Sequence, residues 1–326
     1  MPGAAIVERA GALLASGQAQ AAVDALVGAA KRGDANALHE LARWHVFGDP
    51  VPRSFATARA LFERAGVAGH RAAARTHAVF VAMGAGGRAD WGAALMLIER
   101  AARHDPVAAR QAELIAAMNL SPDGTPGAIT PIEPLANVPR IAAARALFSA
   151  DECAHVAALA GPSLTPSVVV DSTTGRQAPH PVRTSDGTVL GPIQQDIVVH
   201  ALNRRIAAAS GTRVEQGEPL SVLRYAPGQQ YRLHHDCLPG EANQRIITAI
   251  TYLNDAYEGG ATHFPMIGTE FRGGIGDALL FLNTLSDGGP DERSRHAGLP
   301  VSSGEKWICT RWIRAHDFDP WGAYRA

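Results

Sequence analysis

The spacing of apolar positions divides the chain into two halves with different predicted secondary structure. From about residue 5 to residue 119, alanine and leucine recur at helical spacing. One phrase returns in GAAKRGDANALHELA from residue 28, ERAGVAGHRAAARTHA from residue 63 and ERAARHDPVAARQAEL from residue 99. Ala29, Ala65 and Ala101 are 36 residues apart. A constant period of this length is typical of stacked helix–turn–helix repeats, so residues 1–120 are predicted to form a helical repeat domain. A plain helical bundle with Ala-rich similarity is the alternative.

A proline-rich segment follows the repeats, and the pattern then changes. Residues 119–140, NLSPDGTPGAITPIEPLANVPR, contain five prolines and predict a linker over 121–140. Residues 144–161 then indicate one more helix, in which Ser149 and Glu152 have the spacing of a capping box. A further helix is predicted in VVHALNRRIAAASG at 198–211.

Short apolar segments between Gly, Pro and Asp turns fill the rest of residues 141–326. They read PSVVVDS, PLSVLRYA, IITAITYLN, DALLFLNTL and KWICTRWIRA. Strands of this length and spacing favour an antiparallel sandwich or barrel over a parallel α/β sheet. The chain is therefore predicted to be an α+β multidomain protein.

Composition and charge narrow the classes of partner. The 30 Lys and Arg residues balance 31 Asp and Glu residues, so no basic excess points to nucleic acid or to a membrane surface. No run of about 18 apolar residues could span a bilayer, and Glu8 and Arg9 interrupt the N-terminal apolar stretch. Three widely spaced cysteines argue against a disulfide framework or a structural zinc site. We expect a cytoplasmic protein that acts on a small molecule or another protein.

Candidate chemistry begins in the stretch YRLHHDCLPG at residues 231–240. Alternate side chains of an extended strand point the same way, so His234 and Asp236 can face one pocket. A solvated hydrogen-bonded pair is the alternative to a metal site. His296, which follows the apolar run DALLFLNTL, supplies a third ligand type. Two histidines and one carboxylate with open positions opposite them are typical of non-heme Fe(II) oxygenases.

An anchor for an acidic co-substrate is the second requirement of such a site. Lys306 begins the apolar segment KWICTRWIRA, and Thr310 lies four residues further on, so both share one face of a strand. A cation beside a hydroxyl would hold a carboxylate. The alternative is a lysine on an edge strand that extends its ammonium to solvent.

Several segments together resemble a known family. They are RTSDGTVL (183–190), LRYAPGQQYRLHHD (223–236), QRIITAITYLND (244–255), EGGATHFP (258–265), GDALLFLN (276–283) and HAGLPVSSGEKWICTRW (296–312). In this order they resemble the catalytic domain of the prolyl 4-hydroxylases, which are Fe(II)- and 2-oxoglutarate-dependent dioxygenases with a double-stranded β-helix (jelly-roll) fold. The resemblance implies such a domain over 141–326. Residues 20–118 resemble Sel1-like repeats, which are relatives of the tetratricopeptide repeat.

The resemblance also implies roles for individual residues. His234, Asp236 and His296 would bind iron, and His235 would be a variable spacer. The distal carboxylate of 2-oxoglutarate would lie against Lys306, supported by Tyr225, Tyr252 and Thr310. Substrate would be bound by Arg183, Ser185 and Arg245, with Glu218 pairing one of these arginines. Dioxygen would be the second co-substrate and L-ascorbate the reductant.

The identity of the primary substrate stays open at this stage. The leading hypothesis is a prolyl residue of a peptide or protein, recruited by the helical repeats. A free amino acid or another small metabolite is the second, because CLPGEAN at 237–243 is shorter than the usual family segment between Asp236 and Gln244. A non-catalytic repeat adaptor is the third, and the complete set of three ligands and Lys306 argues against it.

Overall fold

The computed structural model describes residues 2–128, 131–170, 177–179 and 182–321. Its first part is α-helical. The helices are α1 (Pro2–Ala15), α2 (Ala19–Lys31), α3 (Ala35–Phe47), α4 (Phe55–Val67), α5 (Arg71–Met83), α6 (Trp91–Ala102) and α7 (Pro106–Ala117). Helices α2, α4 and α6 begin 36 residues apart, which confirms the period predicted from the alanines. Of the repeated alanines, Ala29 and Ala65 are buried and Ala101 is half-buried.

Local signals in the sequence set the limits of these helices. The side chains of Asp34, Ser54 and Asp90 accept hydrogen bonds from backbone amides in the first turn of α3, α4 and α6. Gly48 and Gly84 follow α3 and α5 in the left-handed conformation, which glycine adopts without steric cost. These two glycines are also 36 residues apart, so the turn between helix pairs repeats with the helices.

Two compact units divide the chain. The first comprises residues 1–127, 195–201 and 321–326, and the second comprises residues 128–194 and 202–320. Within the first unit, Gln111 Nε2 donates to Asp196 Oδ2 at 2.9 Å, and the ring of Trp321 packs against those of Phe55 and Phe80. The domain limits at 120 and 140 stay a prediction.

The second unit consists mainly of antiparallel sheet. Its strands are β1 (Ile132–Ala136), β2 (Ile141–Ala144), β3 (Thr165–Pro166), β4 (Val168–Val170), β5 (Gln177–Pro179), β6 (Asp186–Leu190), β7 (Leu220–Tyr225), β8 (Tyr231–His234), β9 (Arg245–Tyr252), β10 (Tyr257–Gly259), β11 (Thr262–Phe264), β12 (Thr269–Phe271), β13 (Ala278–Leu282), β14 (His296–Gly298), β15 (Val301–Gly304) and β16 (Lys306–Arg314). Helix α8 spans Ala150–Ala160, and α9 spans Ile197–Ser210 and begins among the residues assigned to the first unit.

Two sheets enclose the core of this unit. The larger has the strand order β1-β2-β13-β9-β16-β7-β6-β3, and the smaller has the order β12-β11-β14-β8. Phe264 of the smaller sheet meets Phe281 of the larger sheet with ring centroids 5.1 Å apart, within one cluster of buried apolar side chains. Face-to-face packing of two antiparallel sheets is the jelly-roll arrangement that the sequence predicted.

Most predicted elements are confirmed, but an alanine-rich segment and a proline-rich segment have a different secondary structure from the one predicted. The capping box of Ser149 and Glu152 is present at the start of α8. However, the helix predicted over 144–161 begins only at Ala150, since Ala144 is the last residue of β2 (Ile141–Ala144), and β1 lies inside the segment predicted as a linker. Pairing with strands on both sides and burial of IAAA outweigh the helix propensity of alanine. Residues 171–172 of the predicted strand PSVVVDS lie outside the described residues.

Two further sequence predictions concern cysteines and the bilayer. Cys153, Cys237 and Cys309 are all free thiols, so no disulfide joins them. In the part of the chain that the structure describes, none of the helices has both the length and the apolar character needed to cross a bilayer.

Candidate active site

The two predicted histidine ligands lie opposite one another on neighbouring strands. In the pairing of β8 with β14, His234 is the register partner of His296. Asp236 follows two residues after the end of β8. One nitrogen of each histidine and one oxygen of Asp236 all lie within 4.8 Å of one another. His234 Nε2 is 3.6 Å from Asp236 Oδ1, and His296 Nε2 is 3.8 Å from Asp236 Oδ2.

Backbone carbonyls fix the orientation of both imidazole rings. His234 Nδ1 lies 2.8 Å from the carbonyl oxygen of Arg232, and His296 Nδ1 lies 3.1 Å from that of Ser294. Because a carbonyl oxygen only accepts, each Nδ1 carries a hydrogen, and the lone pair of the neutral ring is then on Nε2. Burial lowers the pKa of His296 to about 4, which keeps this ring neutral at physiological pH. Both Nε2 atoms are therefore prepared to bind a metal.

A buried chain of hydrogen bonds holds the carboxylate. Asn283 Nδ2 donates to Thr248 Oγ1 at 2.9 Å, and Thr248 Oγ1 donates to Asp236 Oδ2 at 2.5 Å. Burial acts to raise the pKa of Asp236, but His296, His234 and Thr248 together lower it below the usual range for a carboxyl. Asp236 is only 4% exposed, so the alternative of a solvated histidine–aspartate pair is wrong.

Replacing Thr248 with valine is expected to weaken metal binding about 10- to 100-fold, because the bond that orients Asp236 is lost. Titration of the metal-free protein with Fe(II) measures this change. Thr251→Val is the matched control, since Thr251 is equally buried on the opposite face of β9. Equal losses of affinity in the two variants would contradict a specific role for the Thr248 hydroxyl.

Lys306 is a buried cation without a carboxylate partner. Its side chain is 3% exposed, and its strand β16 lies between β9 and β7, so the edge-strand alternative is wrong. Nζ donates to the carbonyl oxygen of Gly260 at 2.6 Å and lies 5.6 and 5.3 Å from the ring centroids of Tyr225 and Tyr252. Within residues 131–170, 177–179 and 182–321, no acidic side chain forms an ion pair with it. Burial lowers its pKa to about 7. Such a group is stabilised when an anion enters the cavity.

Binding of a carboxylate ligand at Lys306 is expected to weaken as the pH rises above about 7. In the free protein the amine loses its proton near pH 7, so a ligand that needs the ammonium must bind together with a proton. The Kd for 2-oxoglutarate should then rise by up to about tenfold per pH unit. Calorimetric titration at about pH 8.5 in two buffers of different ionisation enthalpy should detect the proton uptake. A Kd that stays constant from about pH 7 to 9 would contradict this assignment.

The metal ligands and Lys306 line one cavity of about 410 Å³, measured with the space at its mouth. The lining residues are Leu223, Tyr225, Tyr231, His234, Asp236, Thr248, Ile250, Thr262, His296, Gly298, Lys306, Ile308, Thr310 and Trp312. Thr310 thus lies on the same side of β16 as Lys306, as its spacing predicted. The hydroxyl of Tyr252 forms hydrogen bonds with Thr262 Oγ1 at 2.8 Å and with the carbonyl of Phe271 at 3.2 Å. Tyr252 therefore presents its ring to Lys306.

The predicted substrate residues lie directly behind the cavity wall. The guanidinium of Arg183 is 5.5 Å from the ring centroid of Tyr231, and Arg183 Nε donates to Ser167 Oγ. Ser185 is fully buried and forms a hydrogen bond with the Tyr225 hydroxyl. Each of these residues contacts a lining side chain without being part of the lining itself.

Glu218 does pair with one of the arginines, as predicted, and that arginine is Arg245. The pair is bidentate, with Arg245 Nε and Nη2 2.6 and 2.7 Å from the two Glu218 oxygens. Glu218 Oε1 also accepts from Arg314 Nε at 2.6 Å. The Arg245 guanidinium stacks 4.0 Å from the ring centroid of Trp312. Glu218 thus fixes Arg245 against the Trp312 indole in the cavity wall.

Some residues of the cavity were not predicted from sequence. Tyr231 stacks on His234 with ring centroids 3.5 Å apart, and Trp312 has a buried indole nitrogen without a hydrogen-bond partner among the described residues. Trp312 lies six residues after Lys306, so the even spacing on β16 was a usable signal. Thr248 carries no comparable signal. His235, predicted as a spacer, binds the backbone of Asp291 and of Cys237 and so holds the loop after β8.

Known proteins are similar to this chain in sequence. The 2OG-Fe(II) oxygenase superfamily matches residues 220–314. Prolyl 4-hydroxylase 1 of Arabidopsis thaliana is 40% identical over 195 residues, which cover 54% of this chain and 69% of the relative. Among solved structures, the viral collagen prolyl hydroxylase of Paramecium Bursaria Chlorella virus-1 in its 2OG complex is 26% identical, with a TM-score of 0.44, and covers 54% of this chain and 96% of that one. A Sel1 repeat protein from Oxalobacter formigenes is 24% identical, with a TM-score of 0.31, over 34% of this chain and 87% of that one.

The sequence match includes the three converging ligands, the buried lysine and the strands that carry them. The matched residues cover more than two thirds of the length of the plant relative. The chain therefore belongs to the prolyl 4-hydroxylase family of Fe(II)- and 2-oxoglutarate-dependent dioxygenases.

Proposed function

We propose that this protein hydroxylates prolyl residues of a peptide or protein, coupled to decarboxylation of 2-oxoglutarate. The observation that carries the proposal is the convergence of His234, Asp236 and His296 within 4.8 Å, in one cavity with Lys306, which forms no ion pair among the described residues. Two imidazole nitrogens and one carboxylate oxygen suit Fe(II) and leave positions for further ligands.

The residues present fit both implied groups. His234 and His296 would hold the iron through Nε2, and Asp236 would hold it through the carboxylate that Thr248 orients. When bound together, iron, dioxygen and 2-oxoglutarate supply an oxidant that can break an unactivated C–H bond, with succinate and carbon dioxide as co-products. The protein's share is to bind, orient and shield these reactants.

Lys306 would bind the distal carboxylate of 2-oxoglutarate. Its burial and the rings of Tyr225 and Tyr252 exclude water from the ammonium, so an ion pair formed there is stronger than one in solvent. Thr310 adds a hydroxyl on the same wall. Because the lysine already donates to Gly260, the direction of its Nζ is fixed before the ligand arrives.

Substrate binding is proposed at the wall formed by Tyr231 and Trp312. Arg183 supports Tyr231, and Glu218 and Arg245 support Trp312, while Ser185 lies behind the neighbouring Tyr225. Planar aromatic surfaces pack well against a prolyl ring, and the unpartnered Trp312 indole nitrogen can donate to a peptide carbonyl. Two of the relatives reported above are named as prolyl hydroxylases, which favours prolyl residues as the substrate class.

Three further parts of the proposal concern the reductant, the place of action and the recruitment of the substrate. L-ascorbate would keep the iron reduced between turnovers. A reducing cytoplasm would be the place of action, which is supported by three cysteines that all remain free thiols. The helical repeats would recruit the protein substrate.

Mass spectrometry of products tests the proposed reaction. The purified protein is incubated with Fe(II), 2-oxoglutarate and ascorbate, together with proline-containing peptides in one series and free amino acids in another. The proposal expects a gain of one oxygen atom on a peptidyl proline, with one succinate formed for each hydroxylation. Oxygen transfer to free amino acids alone would overturn the choice of substrate, and peptide products that form equally well without 2-oxoglutarate would overturn the reaction type.

A further inference from the structure

A groove in the helical unit lies outside the oxygenase domain. Its volume is about 1150 Å³ with the space at its open mouth, and it lies among the ends of α4, α5 and α6. The floor is made by Ala74, His77, Leu97 and Ala101. Charged and apolar side chains surround this floor at the mouth, among them Arg71, Arg100, His104, Glu63 and Val67.

Two substitutions between repeats account for the groove. With the 36-residue period, Ala74 is equivalent to Leu38, and His77 is equivalent to Leu41. Leu38 and Leu41 are 2% and 4% exposed, so in the preceding repeat these side chains fill the space between helices. Loss of the larger side chain at Ala74 leaves space, and His77 places an imidazole in it. Protein interiors are otherwise closely packed, so the smaller side chain at Ala74 leaves an opening here.

His77 is a buried polar group without a hydrogen-bond partner in the described residues. It is 8% exposed, and its ring lines the groove. Burial lowers its pKa, so at neutral pH the ring is uncharged and offers a donor and an acceptor. The ring nitrogens of His77 are not among the enclosed polar atoms, so they are open to the groove and can bond a ligand there.

Charge at the mouth favours an anion. Arg71 and Arg100 form no ion pair or hydrogen bond among the described residues, and His104 lines the groove with them. Glu63 is the one acidic lining residue left unpaired, because Arg75 already pairs with Asp105. Two guanidinium groups against one carboxylate leave a positive balance. Below the mouth, the apolar floor can pack against apolar side chains that flank an acidic residue in a bound peptide.

We propose that this groove binds an acidic segment of a peptide, in which an Asp or Glu carboxylate pairs with Arg71 and Arg100 while neighbouring apolar residues cover Ala74, Leu97 and Ala101. The inference rests on the proposed function in one respect: the bound segment would belong to the protein substrate. It names the feature of that substrate that the repeats recognise, namely an acidic residue flanked by apolar ones.

Selection from peptide libraries tests the groove directly. Three pools of nonapeptides carry Asp, Asn or Lys at the centre and randomised apolar residues around it. The immobilised full-length protein selects from each pool without iron or 2-oxoglutarate, and mass spectrometry identifies the retained peptides. The Asp pool should be enriched at least about tenfold over the Asn pool, and more over the Lys pool.

Variants assign the selection to this site. Ala74→Leu with His77→Leu restores the side chains of the preceding repeat, so it should close the groove and abolish the enrichment. The double variant Arg71→Ala with Arg100→Ala should also abolish the enrichment. Both arginines are exposed, so their replacement should not unfold the helices. Arg103→Ala, an equally exposed arginine at the end of α6 that does not line the groove, should keep the enrichment.

The outcomes separate this inference from the hydroxylase function. Succinate formation from 2-oxoglutarate should be unchanged in the groove variants, and far-UV circular dichroism with thermal unfolding shows that their helical unit is folded. Equal retention of the three pools, or enrichment that survives in both double variants, would overturn the inference while leaving the hydroxylase intact. Competition by inorganic phosphate with no dependence on the flanking residues would identify a small-anion site and would equally overturn it.

Discussion

Replacing Asp236 with alanine should reduce conversion of 2-oxoglutarate to succinate by at least about 100-fold. Loss of a residue that only orients a metal ligand typically costs 10- to 100-fold, and Asp236 is the one carboxylate among the three converging groups. Without it, two imidazoles remain, and a divalent cation loses the negative charge that balances it in a buried cavity. Fe(II) titration and succinate assays measure the two effects.

The control for this variant is Asp255→Ala, which removes an exposed aspartate of the same unit. It should keep both iron affinity and turnover. Thermal unfolding of the metal-free proteins completes the comparison, since Asp236→Ala removes an ionised group from a buried position and should not unfold the domain. Succinate formation near the wild-type rate in Asp236→Ala would show that the ligand assignment is wrong.

Replacing Lys306 with alanine should raise the KM for 2-oxoglutarate far more than it changes the affinity for iron. Truncation of one partner in a buried, hydrogen-bonded charge pair costs about 2–5 kcal/mol, which corresponds to roughly 30- to 5000-fold in affinity. The Nζ atom has no carboxylate partner among the described residues, so the ligand is the group that loses the interaction.

Lys31→Ala is the matched control, because Lys31 is the only other lysine of the chain and is exposed at the end of α2. Its KM should equal that of the wild type. Lys306→Arg should recover part of the affinity if charge is what matters, although the larger guanidinium must fit between the two tyrosine rings. An unchanged KM in Lys306→Ala would remove this residue from the co-substrate site.

Much of this architecture was predictable because the relevant signals are local. The 36-residue period located the helix pairs, and runs such as IITAITYLN and KWICTRWIRA located the central strands. His234, Asp236 and Lys306 were predictable since alternation on a strand already decides which side chains share a face. The order of segments then related them to a family.

The remainder depends on contacts between segments distant in sequence. Ile141–Ala144 forms a strand because β1 and β13 pair with it on both sides, which no local propensity records. Thr248 became part of the site through its bond to Asp236, although a threonine in a strand is ordinary. The groove at His77 required knowledge of which side chains fill the equivalent space around Leu38 and Leu41.

The most direct test of the central claim is a crystal structure of the protein with Fe(II) and 2-oxoglutarate, prepared without oxygen and measured at the iron absorption edge. We expect one anomalous peak bound by His234 Nε2, His296 Nε2 and an Asp236 oxygen, with the distal carboxylate of 2-oxoglutarate against Lys306 Nζ. An iron peak away from these three residues, or a 2-oxoglutarate carboxylate that does not contact Lys306, would contradict the account.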